Sequence, residues 1–370
     1  MIDDAAVAAA HPDLPGLALL LDPLRLEKTL HALGEEPHHL DRLRIKPGAS
    51  VTAVLRPAAG RGPWLLARVL ADDPWRTKRH KDLTVAARLG LPGHELPDQR
   101  LILTVAAGDR RLSGLARLHP DSGPSQIRWP VRRSAWPPGV DGRGRTVHAD
   151  VTTLSHNPAR RWVGVVDLGT KRRVLRLHHA LPAQDLPWQP GRPWAPSDPL
   201  PDLLRGQAGD DRAARRRVEP LARVEAAVRG LRMLHEPWGQ RAAHVADRIR
   251  GPLGAVQRAR AHGDLTPDQV VVDGDRVGVL DWDQSGLWPL GWDVATWTAG
   301  LIVAGWYPAD ETLTEPVTPA AGRSVDPAVL AAALILRGPE PFRRRHPQWP
   351  EVTERLLAHA EQQLLVGAHR

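Results

Sequence analysis

The sequence predicts an α+β fold with a β-rich N-terminal part and a mainly helical C-terminal lobe. Three observations lead there. Strand-like alternation dominates up to about residue 180. Seven of the 21 residues from Leu181 to Pro201 are proline, which interrupts regular structure. Beyond them, apolar residues recur at steps of three and four, except in one valine-rich hairpin.

In chain order, Asp22-Pro23 is a helix start, with Leu24, Leu26, Leu30 and Leu33 on one face and Gly34 as the stop. Leu43-Arg44-Ile45, a turn at Lys46-Pro47-Gly48, and Val51, Ala53 and Leu55 then read as two antiparallel strands. Trp64 to Leu70 is a third strand, Arg76 to Leu89 a helix, and Leu101 to Ala106 and Leu112 to Leu118 two more strands. Residues 121–150, rich in Pro, Gly and Arg, read as a loop or linker. Leu154 to Pro158 then repeats the pattern of Leu43 to Pro47 at a spacing of 111 residues, and Arg176 in Leu-Arg-Leu echoes Arg68 in Leu-Ala-Arg-Val. The alternatives are a duplicated β unit and the chance likeness of two hairpins. Arg212 to His235 is predicted as a helix carrying Val218, Leu221, Val224, Val228, Leu231 and Leu234. The expected divisions are 1–150 (cap with a short helix and a β unit), 151–205 (partial second β unit and proline-rich hinge) and 206–370 (helical lobe).

Composition excludes several classes. With 42% hydrophobic and 25% charged residues the chain is an ordinary folding sequence rather than a disordered one. It has no cysteine, which removes disulfides, thiolate metal sites and cysteine nucleophiles and fits a reducing compartment. Asp3 and Asp4 stand where a signal peptide needs positive charge, and no apolar run reaches ~20 residues, so a cytoplasmic protein without a membrane partner is expected. The net charge of +8 rests mostly on arginine and is unevenly placed. Residues 40–179 hold 26 Lys+Arg against 11 Asp+Glu, whereas 261–318 hold 1 against 10. No basic stripe with interleaved aromatics accompanies this, so no nucleic-acid partner is expected.

The acidic segment carries the chemistry. Val270 to Val272 and Val277 to Leu280 are two short strands joined by a turn at Asp273-Gly274-Asp275. Such a hairpin brings Asp264 and Gln269 at its entrance towards Asp281 and Asp283 at its exit. Carboxylates gathered so closely need a cation or a shared proton. Oxygen-only donors favour a hard ion such as Mg²⁺.

The run from His262-Gly263-Asp264 through Gln269 to Asp281-Trp282-Asp283, with Trp292-Asp293 downstream, resembles the small-molecule kinases of the aminoglycoside phosphotransferase and choline kinase family. The likeness extends over about residues 150–370, where Leu231 to His235 and Pro339 to Arg345 are similar to flanking family elements. Residues 1–150 resemble the extra β cap of some actinobacterial members. The resemblance implies a protein-kinase-like bilobal fold, ATP and Mg²⁺ as cofactors, and transfer of a phosphoryl group to a hydroxyl of a small polar acceptor such as a sugar or an aminoglycoside. It implies Asp264 as the catalytic base, Asp281 and Gln269 as metal ligands with Asp283 as a further metal residue, and Arg176 near the nucleotide phosphates. His262 is expected to fix the loop, Asp293 to cap a helix or tie the loop, and Trp282, Trp288, Trp292 and Trp297 to be core.

The chain departs from the family pattern in three ways. Gln269 replaces an Asn. Arg176, or Arg68 if the first β unit were the nucleotide lobe, replaces a Lys. The second β unit reaches the hinge without the helix that would carry a partner Glu. A kinase-fold protein with weak or no catalysis, binding a nucleotide or a partner, is therefore the alternative.

Overall fold

A computed structural model of the chain describes residues 2–112, 114–123, 125–128, 146–169, 171–179, 184–187, 191–198, 200–201, 204, 218–306 and 325–368. It divides into two compact units, Ile2–Trp188 with Arg343–Arg345, and Gln189–Phe342 with His346–Arg370.

The first unit opens with three short helices, α1 (Asp4–Ala9), α2 (Gly16–Leu21) and α3 (Pro23–Ala32). The Asp22 carboxylate caps α3 by accepting from the Leu24 and Arg25 amides, with proline at the first turn. Leu26 and Leu30 are buried, but Leu24 is 68% exposed, because a step of two residues turns it away from their face. The strands β1 (His38–Lys46), β2 (Ser50–Pro57) and β3 (Leu65–Leu70) follow, then α4 (Asp72–Arg88), β4 (Gly93–Leu96) and β5 (Leu101–Val105). They form a five-stranded antiparallel sheet in the order β1-β2-β3-β5-β4. One face buries Leu43, Ile45, Val51, Leu65 and Val69. Arg44, Thr52, Arg68 and Ile102 are successive cross-strand partners and share the opposite face.

A second five-stranded sheet, in the order β10-β9-β8-β7-β6, contains β6 (Ser125–Arg128), β7 (Thr146–Asn157), β8 (Arg161–Asp167), β9 (Arg172–His178) and β10 (Gln184–Pro187). The two hairpins β1–β2 and β7–β8 turn alike: Gly48 and Ala159, 111 residues apart, both have positive φ, +64° and +61°. After β9, β10 begins at Gln184, too soon for an intervening helix.

Four expectations need correction. Leu112 to Leu118 is not a strand; the chain forms a 3₁₀ turn at Leu115–Leu118, and Leu112, Leu115 and Leu118, three apart, are buried side by side as that winding requires. The segment 121–150 is not all linker, since β6 and the start of β7 lie in it, while 129–145 fall outside the described residues. Within the proline-rich stretch, β10 is a sheet edge and β11 (Arg192–Pro193) is another, the position where proline is tolerated. The helix predicted from Arg212 is α5 (Pro220–Leu234); Val218 and Glu219 precede it, and 211–217 lie outside the described residues.

The second unit is mainly helical. α5 and α6 (Glu236–Ala255) are followed by β12 (Arg258–Ala261), β13 (Val270–Asp273), β14 (Arg276–Val279) and β15 (Gly286–Pro289). Then come α7 (Trp292–Val303), α8 (Pro327–Arg337), α9 (Glu340–Arg343) and α10 (Trp349–Ala368). Val329 to Ile335 of α8 are buried throughout, the mark of a helix surrounded by others. The strands make two small sheets, β11-β13-β14 and β12-β15, where the sequence predicted one hairpin. No helix among the described residues is long and apolar enough to cross a membrane.

Burial holds the pKa of His359 on α10 below the ordinary imidazole value, with Arg355 adding to the effect and a Gln362 hydrogen bond opposing it. The folded chain therefore resists a proton that the unfolded chain takes up below about pH 6.5. The stability this group supports is present above that pH and is lost as pH falls. Urea midpoints are expected to drop between pH 7 and pH 5, and less steeply in His359→Gln. Parallel pH dependence in the two proteins would remove His359 as a cause.

Candidate active site

The β13–β14 hairpin sets the site. Val270 pairs with Val279, and the Leu280 amide donates to the Gln269 carbonyl at 2.8 Å, so the residues entering and leaving the hairpin lie side by side. Gln269 ends a 3₁₀ turn, Pro267–Gln269, that packs under α7, where Gly300 leaves room for Thr266 and Pro267. At the exit, Asp281 takes a left-handed backbone conformation, φ +62°, which reverses the chain into the Trp282–Gln284 turn. For a side chain other than glycine this conformation costs on the order of 1 kcal/mol, and Asp tolerates it better than most.

The loop from His262 to Asp264 is held from three sides. The buried carboxylate of Asp293 accepts from the His262 amide at 2.7 Å and from the Gly263 amide at 2.8 Å. Burial pushes the Asp293 carboxyl above the ordinary carboxylate pKa, against the lowering effect of the two amides. Trp292 Nε1 donates to the Gly263 carbonyl at 3.1 Å. His262 Nε2 donates to the Leu280 carbonyl at 2.7 Å, and its ring meets Trp282 edge-on at 4.9 Å. His262 thus clamps the Asp264 loop to the strand end that delivers Asp281. Asp293 ties this loop and does not cap α7, whose N-cap is Gly291. Trp288, Trp292 and Trp297 are fully buried, as expected of core residues, whereas Trp282 is only half-buried.

Asp264 is half-buried. Its Oδ1 accepts from Nη2 of Arg337 at the end of α8, and its Oδ2 lies 3.5 Å from Gln269 Nε2, at the outer limit of a hydrogen bond. Nη1 of Arg337 donates to Glu340 at 2.7 Å. Burial works against the Arg337 charge, but Asp264 and Glu340 outweigh it and raise its pKa. Sequence reasoning missed Arg337. Its signal was an arginine closing the apolar run Leu-Ala-Ala-Ala-Leu-Ile-Leu, with Glu340 three residues on.

The hairpin brings Asp264 beside Gln269 and sets Asp281 one residue after Leu280, whose amide meets the Gln269 carbonyl, with Asp283 in the following turn. The predicted gathering of three carboxylates is not observed. Among the described residues no group of three acidic or imidazole side chains is placed to hold a metal ion, and the Asp264 charge is balanced by Arg337 instead. Gln269 Oε1 is buried without a hydrogen-bond partner. Arg176 lies in the other unit, buried on β9 between Val163 of β8 and Gln184 of β10. Arg68, its counterpart in the first sheet, donates from Nη1 to Asp82 of α4 at 2.6 Å, an ion pair that sequence reasoning missed.

No curated protein matches the chain. Among solved structures, it resembles choline kinase from Cryptosporidium parvum at 11% identity and TM-score 0.42, covering 62% of this chain and 92% of that one. A choline/ethanolamine kinase family protein from Mesorhizobium loti aligns over 100% of both chains at 15% identity and TM-score 0.29. A mutant of aminoglycoside phosphotransferase APH(4)-Ia with ADP and hygromycin B aligns at 10% identity and TM-score 0.26, covering 93% of this chain and 99% of that one. The model of the phosphotransferase enzyme family matches residues 138–332, just over half of the chain, including the hairpin and the His262 to Asp264 loop but not Arg337 or Glu340. With its α+β, protein-kinase-like fold class, the chain belongs to the phosphotransferase enzyme family.

Proposed function

We propose that the protein transfers the terminal phosphoryl group of ATP to a hydroxyl of a small polar molecule, a sugar or an aminoglycoside. The observation that carries this reading is the hairpin junction, which seats an accessible carboxylate, Asp264, beside an amide oxygen, Gln269 Oε1, that is buried and unpartnered. A buried acceptor without a donor costs about 1–3 kcal/mol and suits a cation. Oxygen donors from Gln269, Asp281 and Asp283 fit Mg²⁺, which they would hold. When bound there, Mg²⁺ would offset charge on the nucleotide phosphates.

The chain's own residues do the rest. Arg337 occupies Oδ1 of Asp264 and fixes the carboxylate plane, which leaves Oδ2 to take the proton of the acceptor hydroxyl as its oxygen bonds to phosphorus and the bond to the leaving diphosphate breaks. Asp293 and His262 keep the Asp264 loop from drifting relative to Asp281.

Thermal shift with ATP, with and without Mg²⁺, tests the reading. A ligand at 100 times Kd adds about 2.7 kcal/mol, so Mg·ATP is expected to raise Tm clearly and Asp281→Ala to abolish the rise. Asp264→Asn should keep the shift but lose phosphoryl transfer to an acceptor panel by roughly 10²–10⁴-fold. If no nucleotide shifts Tm under any metal condition, the reading fails. A shift without turnover in the wild type would favour a nucleotide-binding protein without catalysis, which the missing helix between β9 and β10 would explain.

A further inference from the structure

The first unit contains a second charged feature that the phosphotransfer chemistry leaves unused. A cleft of about 460 Å³ lies between α4 and the segment after β5, lined by His80, Lys81, Thr84, Val85, Arg110 and Arg111. None of the six is acidic. All six precede the residues matched by the family model.

The cleft is built on fixed supports. Asp82, buried beneath it, binds two guanidinium groups, with Oδ2 2.6 Å from Arg68 Nη1 and Oδ1 3.1 Å from Arg110 Nε. One carboxylate between two arginines leaves a net positive charge. The backbone of Arg111 is pinned on both sides: its amide donates to Asp109 Oδ1 at 3.1 Å, and its carbonyl accepts from His179 Nδ1 at 3.1 Å. Asp109 is itself buried, and accepts from His156 Nε2 and from the Ala159 amide at 2.7 Å. Lys46 feels the same crowding of cations, and its pKa is lowered first by Arg44, then by burial, Arg111, Arg160 and Arg68. Like charges held together in this way destabilise the empty fold, and a bound anion relieves them.

We propose that this cleft binds a phosphorylated small molecule at a site separate from the hairpin, with Lys81 and Thr84 on one wall and Arg110 and Arg111 on the other holding its phosphate oxygens. The volume falls in the range of small-ligand pockets, and the walls offer charge and hydroxyl donors of the kind phosphate takes. His80 is the one ring among the lining residues on which a base could stack, whereas a single-stranded nucleic acid uses successive stacking platforms.

Isothermal titration of the full chain with inorganic pyrophosphate, at fixed ionic strength, tests the proposal. One site per chain is expected, weakening as salt rises. Affinity should fall at least tenfold in Lys81→Gln/Arg111→Gln, both positions being exposed. It should be unchanged in Arg25→Gln, an exposed arginine on α3, and retained in Asp281→Ala, which separates this cleft from the nucleotide site. The proposal is overturned by absent binding, by equal binding in the double variant, by sulfate binding as tightly as pyrophosphate, or by loss of binding in Asp281→Ala. A 20-nucleotide DNA that displaces pyrophosphate and binds far more tightly would overturn it in favour of a nucleic-acid surface.

Discussion

Gly263→Ala is expected to destabilise the chain by roughly 4 kcal/mol, seen as a large fall in the urea midpoint followed by tryptophan fluorescence. Gly263 has φ +84°, where an alanine pays about 1–2 kcal/mol. Its new Cβ would also stand 2.3 Å from Trp288 Nε1 and 2.4 Å from the Gln284 carbonyl. Those neighbours have nowhere to go. Trp288 is fully buried and stacks on Trp292 at 4.6 Å, and its Nε1 donates to that same carbonyl at 2.9 Å. Overpacking of a rigid site costs typically 1–3 kcal/mol, and losing the indole hydrogen bond about 1 more. Gly274→Ala separates the two causes. Gly274 also has positive φ, +57°, but a Cβ added there would meet nothing within 4 Å, so about 1 kcal/mol is expected. If the two variants lose equal stability, the packing argument around Trp288 is wrong.

That crowding shows why some of the site was legible in the sequence and some was not. The hairpin could be read because its signals are local: a Val run, Asp-Gly-Asp, and a second Val run dictate that Gln269 and Asp281 return to the same end. The tying roles of His262 and Asp293 could be anticipated, but their partners could not. The Leu280 carbonyl that meets His262 lies 18 residues on, and the two loop amides meet Asp293 of α7 about 30 residues on. Arg337 lies 73 residues from Asp264, and no periodicity links them. The Leu112 to Leu118 error had a related origin, because a spacing of three among leucines serves a 3₁₀ turn, while an apolar run of that length also suits a strand. The short strands β11, β12 and β15 escape sequence reasoning because two to four residues carry too little pattern, and their pairing depends on partners far along the chain.

Arg337→Met is expected to cost about 2 kcal/mol of stability and, with Asp264 in the proposed role, to lower kcat by tenfold or more while leaving nucleotide affinity nearly unchanged. Breaking a buried ion pair by removing one partner typically costs ~3–5 kcal/mol. Two features lower the figure here. The carboxylates left behind, Asp264 and Glu340, have side chains 32% and 23% exposed, so water can reach them. Arg337 Nε is buried without a hydrogen-bond partner, and its removal recovers about 1 kcal/mol. Methionine keeps the apolar stem among the buried residues of α8. The kinetic effect has a different source: without Nη2 on Oδ1, the Asp264 carboxylate turns freely, and a base misplaced by about 1 Å loses on the order of 10²-fold in rate. Arg337→Lys discriminates charge from geometry. One ammonium cannot reach both carboxylates as the two nitrogens of the guanidinium do, so lysine should restore part of the stability but little of kcat. Full kcat in Arg337→Lys would show that a positive charge near Asp264 suffices, and unaltered kcat in Arg337→Met would remove Arg337 from the positioning of the base.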